Sequence, residues 1–299
     1  MLDLVSRRLL FFVLSAVVIV PGLISLAIPP GLNLGIEFTS GSTMTVDFEK
    51  PVEMAQVRDA LEQAGQTDVI VQRTGSDFFM RMREISPDQK VSLEAQLTER
   101  LGPMVVRDFA SVSAIVSKEI GRDAGFAIAA AAVGILLYVA WAFRRLAKPW
   151  RYGVSAIIAL VHDVLVVLGL FSLLGRLFGV QVDATFIAAI LAVVGYSVNN
   201  TVVVYDRIRE NTVRGISRDY VQVVNQSLVE SLVRSLNTSL TTLFVVLALF
   251  LFGGETIRYF TLVFIIGITA GTYSSLFISS QLLVVWESKR WGRIWTRTA

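Results

Sequence analysis

Two ionisable residues, His162 and Asp163, sit side by side inside the apolar run Tyr152–Leu174. They lie about ten residues in, or roughly 15 Å deep at the rise of an α-helix. An ionisable group near the centre of a bilayer is costly, so it needs either a partner or a task. The pair reads in two ways: a buried polar pair bonded to a neighbouring helix, or a station on a proton or ion path. A second polar cluster, Ser197, Asn199, Asn200 and Thr201, falls near the end of the apolar run Ala184–Tyr205. Adjacent asparagines point to different sides of a helix, so at least one faces protein rather than lipid. An amide lines a polar path but carries no proton at physiological pH. Arg234 opens a third cluster, with Asn237, Thr238, Ser239, Thr241 and Thr242 in the first turns of the run Ser235–Phe252. Its guanidinium either snorkels to the headgroups or reaches a polar interior.

Other chemistries are excluded by what is missing. Cysteine is absent and histidine occurs once, which removes disulfide frameworks, thiolate zinc sites, iron–sulfur clusters and His- or Cys-paired haem sites. No metal or cofactor is expected. No phosphate-binding G-x-x-x-x-G-K-[ST] loop, dinucleotide fingerprint or H-E-x-x-H pair occurs either. Any work must then draw on an ion gradient or a partner.

The elements that must position these residues are membrane helices. Of the 299 residues, 54% are apolar and only 17% charged, and the mean hydropathy is +0.64, too apolar for a soluble domain of this size. Six runs are long enough to cross a hydrocarbon core: Leu9–Ile28, Ala124–Phe143, Tyr152–Leu174, Ala184–Tyr205, Ser235–Phe252 and Tyr259–Trp286. The first is long for a signal peptide and no cleavage site follows Pro29-Pro30, so it reads as a retained span. Alternate short connections collect the basic residues: Arg7 and Arg8; Arg144, Arg145, Lys148 and Arg151; Arg207, Arg209, Arg214, Arg218 and Arg234; Lys289, Arg290, Arg293 and Arg297. The intervening short connections hold only Arg176 and Arg258. Both termini are therefore expected in the cytoplasm. The net charge of +3 reflects this topology and not nucleic-acid binding. Gly267, Gly271, Ser275 and Ser279 recur every four residues in the last run, a small-residue stripe suited to close helix packing. Ile216, Tyr220, Val224, Leu228 and Leu232 predict an amphipathic helix between the fourth and fifth spans, lying along the cytoplasmic surface or docked on a partner.

One soluble segment remains, and its pattern is β-α-β-β-α-β. Strands are expected at Thr43–Phe48, Thr67–Thr74, Asp77–Arg83 and Met104–Ser113, with helices at Val52–Ala64 and Pro87–Leu101. That order is the ferredoxin-like α+β sandwich. The expected organisation is residues 1–30, an N-terminus with the first helix; 31–121, a periplasmic ferredoxin-like domain; and 122–299, five further membrane helices with a basic tail. Charges of both signs are interspersed in the insert, and no anion site is read there.

Four segments of this sequence resemble the SecF family, the smaller partner of SecD in the accessory complex of the bacterial Sec translocase. They are Gly35 to Ser42, which includes Phe38 and Gly41; Gly195-Tyr196-Ser197 through Asp206, Arg207, Arg209, Glu210 and Asn211; Arg234 to Thr242; and Gly267 to Ser279. The resemblance implies the resistance-nodulation-division superfamily and a location in the bacterial inner membrane. It implies SecD, the SecYEG channel, further membrane accessory subunits and unfolded preproteins as partners, with the proton as coupling ion. The implied role is late-stage protein export driven by the proton-motive force. Two departures stand out. The family usually has Asp at the position of Asn200, thought to carry the proton, so this chain is either a natural variant without that carrier or a substituted form. Glu37 and Ser40 stand where Asp and Gly are commoner. On the resemblance, Asn200 marks the carrier position, Asp163 and His162 support it, and Arg234 is the counter-charge. A small-molecule or lipid exporter half of the same superfamily, and a scaffold without its own proton path, are the alternatives.

Overall fold

The computed structural model describes residues 2–66, 69–144, 146, 148–254 and 257–288. The element order is α1 (Arg8–Ala27), α2 (Ile36–Thr39), β1 (Gly41–Phe48), α3 (Met54–Gln63), β2 (Ile70–Thr74), β3 (Asp77–Met82), α4 (Pro87–Leu101) and β4 (Met104–Val112). Six further segments follow: α5 (Ala114–Ala142), α6 (Trp150–Phe178), α7 (Ala184–Arg214), α8 (Tyr220–Phe252), α9 (Arg258–Ser274) and, after a π-helical turn at Ser275–Ser279, α10 (Ser280–Ser288). The chain divides into a bundle unit, residues 1–33 and 126–299, and an insert unit, residues 34–125.

The insert is a four-stranded antiparallel sheet in the order β2-β3-β1-β4 with α3 and α4 on one face, the ferredoxin-like arrangement. Alternation in β1 and β3 turns Met44, Val46, Phe78, Met80 and Met82 onto Val57, Leu61, Leu93 and Leu97 of the helices. Capping boxes start both helices: Glu53 with Gln56 on α3, and Ser86 with Gln89 on α4, where Pro87 sets the first turn. The strand expected from Thr67 begins at Ile70; Thr67 and Asp68 lie outside the described residues. The edge strand β4 carries a bulge, since Thr45 pairs with Asp108 but Val46 with Val106. The bulged Arg107 reaches Asp47 at 2.5 Å and Asp77 at 3.6 Å. The hydrogen bond to Asp47, and both carboxylates' charge, hold its pKa above the ordinary arginine value.

Entry to β1 is strained. Ser40 has φ 60° and ψ 169°, a region that only glycine occupies freely. Gly41 follows at φ +123°, and a Cβ there would lie 2.6 Å from the Met82 carbonyl oxygen. Arg81 ties this corner together, donating to the Leu34 carbonyl at 2.7 Å and to Thr39 Oγ1. Burial lowers its pKa, opposed by the charge of Glu37.

In the bundle unit, six helices are long and apolar enough to cross a membrane. Half or more of the most apolar window is buried in α6, in α7 and in the α9–α10 segment, whereas α1 and α8 flank them and α5 is exposed over most of its length. The tightest crossing is α1 on α6. A Cβ on Gly22 would lie 2.6 Å from Gly169 Cα, so the two backbones touch. Beyond that crossing, Ser25 bonds Ser172 at 2.7 Å, and Arg176 donates to Ser25 Oγ, to the carbonyls of Ser25 and Pro29, and to Ile28 O. Ser25 lies in the last turn of α1 and Ile28 and Pro29 just follow it, so Arg176 fastens the end of α1 to α6. The separate surface helix expected around Ile216–Leu232 does not form. Ile216 lies in the turn after Gly215, and from Tyr220 onward the helix runs unbroken into the fifth span. At 33 residues α8 is about 50 Å long and overshoots the hydrocarbon core, so one helix serves both stretches.

Two substitutions test these constraints. Ser40→Gly should stabilise the insert by about 1 kcal/mol by removing strain, read as slower hydrogen exchange of β1 amides. Gly169→Val should prise α1 from α6 and destabilise the bundle by about 1–3 kcal/mol, read as a lower melting temperature in micelles.

Candidate functional site

Asp163 is the one carboxylate buried in the bundle among the described residues, at 1% exposure. Its donors come from three helices. Ser197 on α7 donates to Oδ2 at 2.5 Å, Ser274 at the end of α9 donates to the same oxygen at 2.8 Å, and His162 Nδ1 stands 3.0 Å from Oδ1. The other imidazole nitrogen reaches Ser15 of α1 at 3.0 Å, and the Tyr273 ring stacks on the imidazole with centroids 6.1 Å apart. The Asp163–His162 pair thus joins four transmembrane segments. The sequence places it there through small residues: Gly271 packs on Ser197, where a Cβ would lie 2.9 Å from the serine Cβ, and Gly267 packs on Val193 at 2.4 Å. The i+4 stripe continues as Ser275 and Ser279, but both lie in the π-helical turn, which redirects the helix beside the polar junction.

The asparagines divide as helical geometry requires. Asn200 is buried at 6% exposure with its Nδ2 unpartnered, while Asn199 faces outward. Thr201 bonds Ser275 at 2.8 Å. Arg234, expected either to snorkel or to serve as a counter-charge, is not brought to Asp163 within this chain. It lies on the exposed side of α8 and makes no ion pair among the described residues, because the buried side of that helix is taken by Ser231, Ser235 and Ser239. Asn237, Thr238 and Thr241 share the exposed side, the two threonines bonding backbone carbonyls one turn back. Asp206 to Asn211 forms a clasp at the end of α7. Arg207 bonds Glu230 at 2.6 Å and Glu210 at 2.5 Å, Asn211 bonds Ser227 and Glu230, and Arg209 pairs with Asp206. In the insert, Gly35 caps α2 and accepts from Phe38 N and Thr39 Oγ1.

Several participants are invisible to sequence reasoning. Ser15 and Ser274 look like any hydroxyl in an apolar helix, and Arg176 looks like a loop cation. Asn225 also emerges only in three dimensions: its side chain accepts from Leu4 N and Val5 N and donates to the Leu2 carbonyl, fastening the N-terminal segment to α8. Lys289, Arg290, Arg293 and Arg297, and Arg145, lie outside the described residues.

Six apolar helices, a ferredoxin-like insert and a carboxylate–imidazole pair shared among four spans define a multi-pass membrane protein with a polar bundle interior. Residues 93–289 match the family model of the protein export membrane protein SecD/SecF, C-terminal, and residues 24–52 match the SecD/SecF GG motif. The chain is 47% identical to the protein translocase subunit SecF of Thermobaculum terrenum, across all of this chain and 98% of that protein. It is 42% identical to the SecF subunit of Anaerolinea thermophila over the same shares. A crystal structure of SecDF from Thermus thermophilus, a translocon-associated membrane protein, superposes with a TM-score of 0.81 at 33% identity. That match covers 96% of this chain and 39% of the SecDF chain, so this chain spans about two fifths of that longer polypeptide. The chain belongs to the SecD/SecF family of protein export membrane proteins.

The junction makes a prediction about stability that is independent of activity. Asp163→Asn keeps a hydrogen-bonding group in place and should cost about 1 kcal/mol, whereas Asp163→Leu strands the donors of Ser197, Ser274 and His162 and should cost about 3 kcal/mol or more. Thermal unfolding of both variants in micelles checks the difference.

Proposed function

We propose that this chain is the SecF half of a proton-driven export motor in the bacterial cytoplasmic membrane. Paired with SecD, it promotes the late stage of export of unfolded preproteins that emerge from the SecYEG channel, without hydrolysing nucleotide. In this reading both termini and the Arg207 end of the bundle face the cytoplasm, and residues 31–121 face the periplasm. The observation that carries it is Asp163, a carboxylate held by donors from separate helices at the junction of α1, α6, α7 and α9. Protonating Oδ2 turns one of its two acceptor positions into a donor, so Ser197 and Ser274 no longer both donate to it, and one proton changes how α7 and α9 are held to α6. The partner is supported by the exposed polar side chains Asn199, Arg234, Asn237, Thr238 and Thr241 on α7 and α8. Such groups are costly against lipid and favourable against the helices of a second subunit.

A scaffold without its own proton path is favoured only by Asn200, whose amide does not titrate at physiological pH. Membrane vesicles containing SecD and this chain decide between the two. Asp163→Asn should abolish the part of preprotein export that depends on a proton gradient, and Asn200→Asp should increase that part. Export by the unsubstituted chain that ignores the gradient, with Asp163→Asn equally active, would establish the scaffold instead.

A further inference from the structure

We propose that Arg176 is a positioning residue of the coupling: with Ser172 and Asn33 it binds α1 and the connector that follows it to α6, so that the two helices form one lever carrying the attachment point of the insert. This rests on the reading of Asp163 as the coupling proton's binding site and adds how its protonation reaches residues 34–125.

The lever is pinned near one end. At the start of α6, Tyr152 bonds Tyr220 of α8 at 3.0 Å, Ser155 bonds Tyr205 of α7 at 2.6 Å, and Arg151 holds Glu287 at 2.5 Å. In the first turn of α1, the Phe11 carbonyl accepts from Tyr273 of α9 at 2.6 Å, and the Phe11 ring stacks on Phe277 with centroids 4.2 Å apart. Midway along α6 come the bonds of Asp163 to Ser197 and Ser274.

Beyond Asp163 the pattern changes. Among the described residues, the hydrogen bonds that join the rest of α6 and its C-cap to another element all go to α1 or to residues 28–33. Ser172 donates to the Gly31 carbonyl at 2.7 Å, so Ser25 donates to Ser172, also at 2.7 Å, and Ser25 Oγ accepts from Arg176 at 3.0 Å. The same guanidinium donates to the carbonyls of Ser25 at 2.9 Å and Pro29 at 3.3 Å, and to Ile28 O. Asn33 then donates to the Gly179 carbonyl at 3.1 Å. Toward α7, by contrast, the outer half of α6 offers apolar contact, as where Phe171 packs on Phe186 with centroids 4.8 Å apart. Apolar contact is non-directional and lets helices slide and tilt, whereas the Arg176 seam fixes α1 on α6 atom by atom.

The joint is stiff on both sides. Asn33 closes the bundle unit, and the next residue, Leu34, is fastened inside the insert by Arg81 at 2.7 Å. Asp163 is faced by Ser197 and Ser274 from α7 and α9, and by His162, with Ser15 of α1 and Tyr273 of α9 behind the imidazole. A proton on Oδ2 therefore loosens the lever from α7 and α9 without loosening α1 from α6. Length amplifies the result. Ser155 is about 12 Å from Asp163 along the helix and about 36 Å from Gly179. A displacement of about 1 Å at Asp163, the scale of ordinary helix shifts, becomes about 3 Å at the attachment point.

The chain has no cysteine, so introduced pairs take spin labels at single sites. The full chain is paired with cysteine-free SecD in lipid nanodiscs, and distances are measured by pulsed electron resonance from Phe252→Cys on α8. One partner label is Leu177→Cys near the end of α6, and the other is Val91→Cys on α4; all three positions are exposed. Asp163→Asn, neutral like the protonated acid, should shift both distances, the first by about 3 Å. Adding Arg176→Ala should keep the α6 shift, which shows the bundle still folded, and at least halve the insert shift. Arg176→Lys, which keeps a donor for the carbonyls, should restore it. An insert shift that survives Arg176→Ala, loss of both shifts in that variant, or no shift on Asp163→Asn overturns the lever. Vesicle export separates this from the function above. If Asp163→Asn loses gradient-dependent export while the distances stay fixed, the lever fails and the coupling reading stands. If the distances behave as expected while Asp163→Asn exports normally, the coupling reading fails.

Discussion

A carboxylate in an apolar bundle persists only if protein replaces the water it has lost, and that requirement organises the transmembrane unit around Asp163. Ser197, Ser274 and His162 must arrive within hydrogen-bond reach from different segments, so α6, α7 and the end of α9 have to approach closely. Close approach in turn requires small residues. Gly271 and Gly267 against α7, and Gly22 against Gly169, are where the backbones come together, and each leaves no space for a larger side chain. The packing stripe and the polar junction are therefore two sides of one constraint.

The π-helical turn belongs to the same constraint. Ser274 and Ser275 are consecutive, yet the first bonds Asp163 of α6 and the second bonds Thr201 of α7. The widened helix at Ser275–Ser279 lies where five polar residues, Ser274, Ser275, Ser279, Ser280 and Gln281, are fully buried around the apolar Leu276, Phe277 and Ile278. The clasp formed by Arg207, Glu210, Asn211 and Glu230 fixes α7 to α8 outside this region. The residues from Asp206 to Asn211 thus act as a fastening between two helices as well as a sequence signature.

The architecture was legible in the sequence because each layer has its own period: long uncharged runs for the spans, and alternation broken by Gly75-Ser76 and capped by Ser86 for the insert. Asp163 and His162 were legible because charge in an apolar run is conspicuous. Their partners were not, since Ser15 and Ser274 carry no signal that separates a ligand from an ordinary helical hydroxyl. Arg234 was left with two placements for a related reason: a one-dimensional pattern shows that a residue lies in a span but not which face it occupies once Ser231, Ser235 and Ser239 claim the interior. The division of Asn199 from Asn200 follows from 100° per residue, but which one turns inward depends on neighbours that only the fold supplies.

The weak packing of α5 separates it mechanically from the rest of the bundle. Between Phe126 and Trp141 its large side chains Phe126, Val133, Leu137, Tyr138 and Trp141 are exposed, and the bundle grips this stretch near Leu136 and Val139, toward its end. A helix held at one end has its inclination set by the lipid around it, whereas α6 and α7 are locked by their neighbours. A thicker or thinner membrane is then accommodated more readily by retilting α5 than by shifting α6 and α7, whose polar junction stays in register.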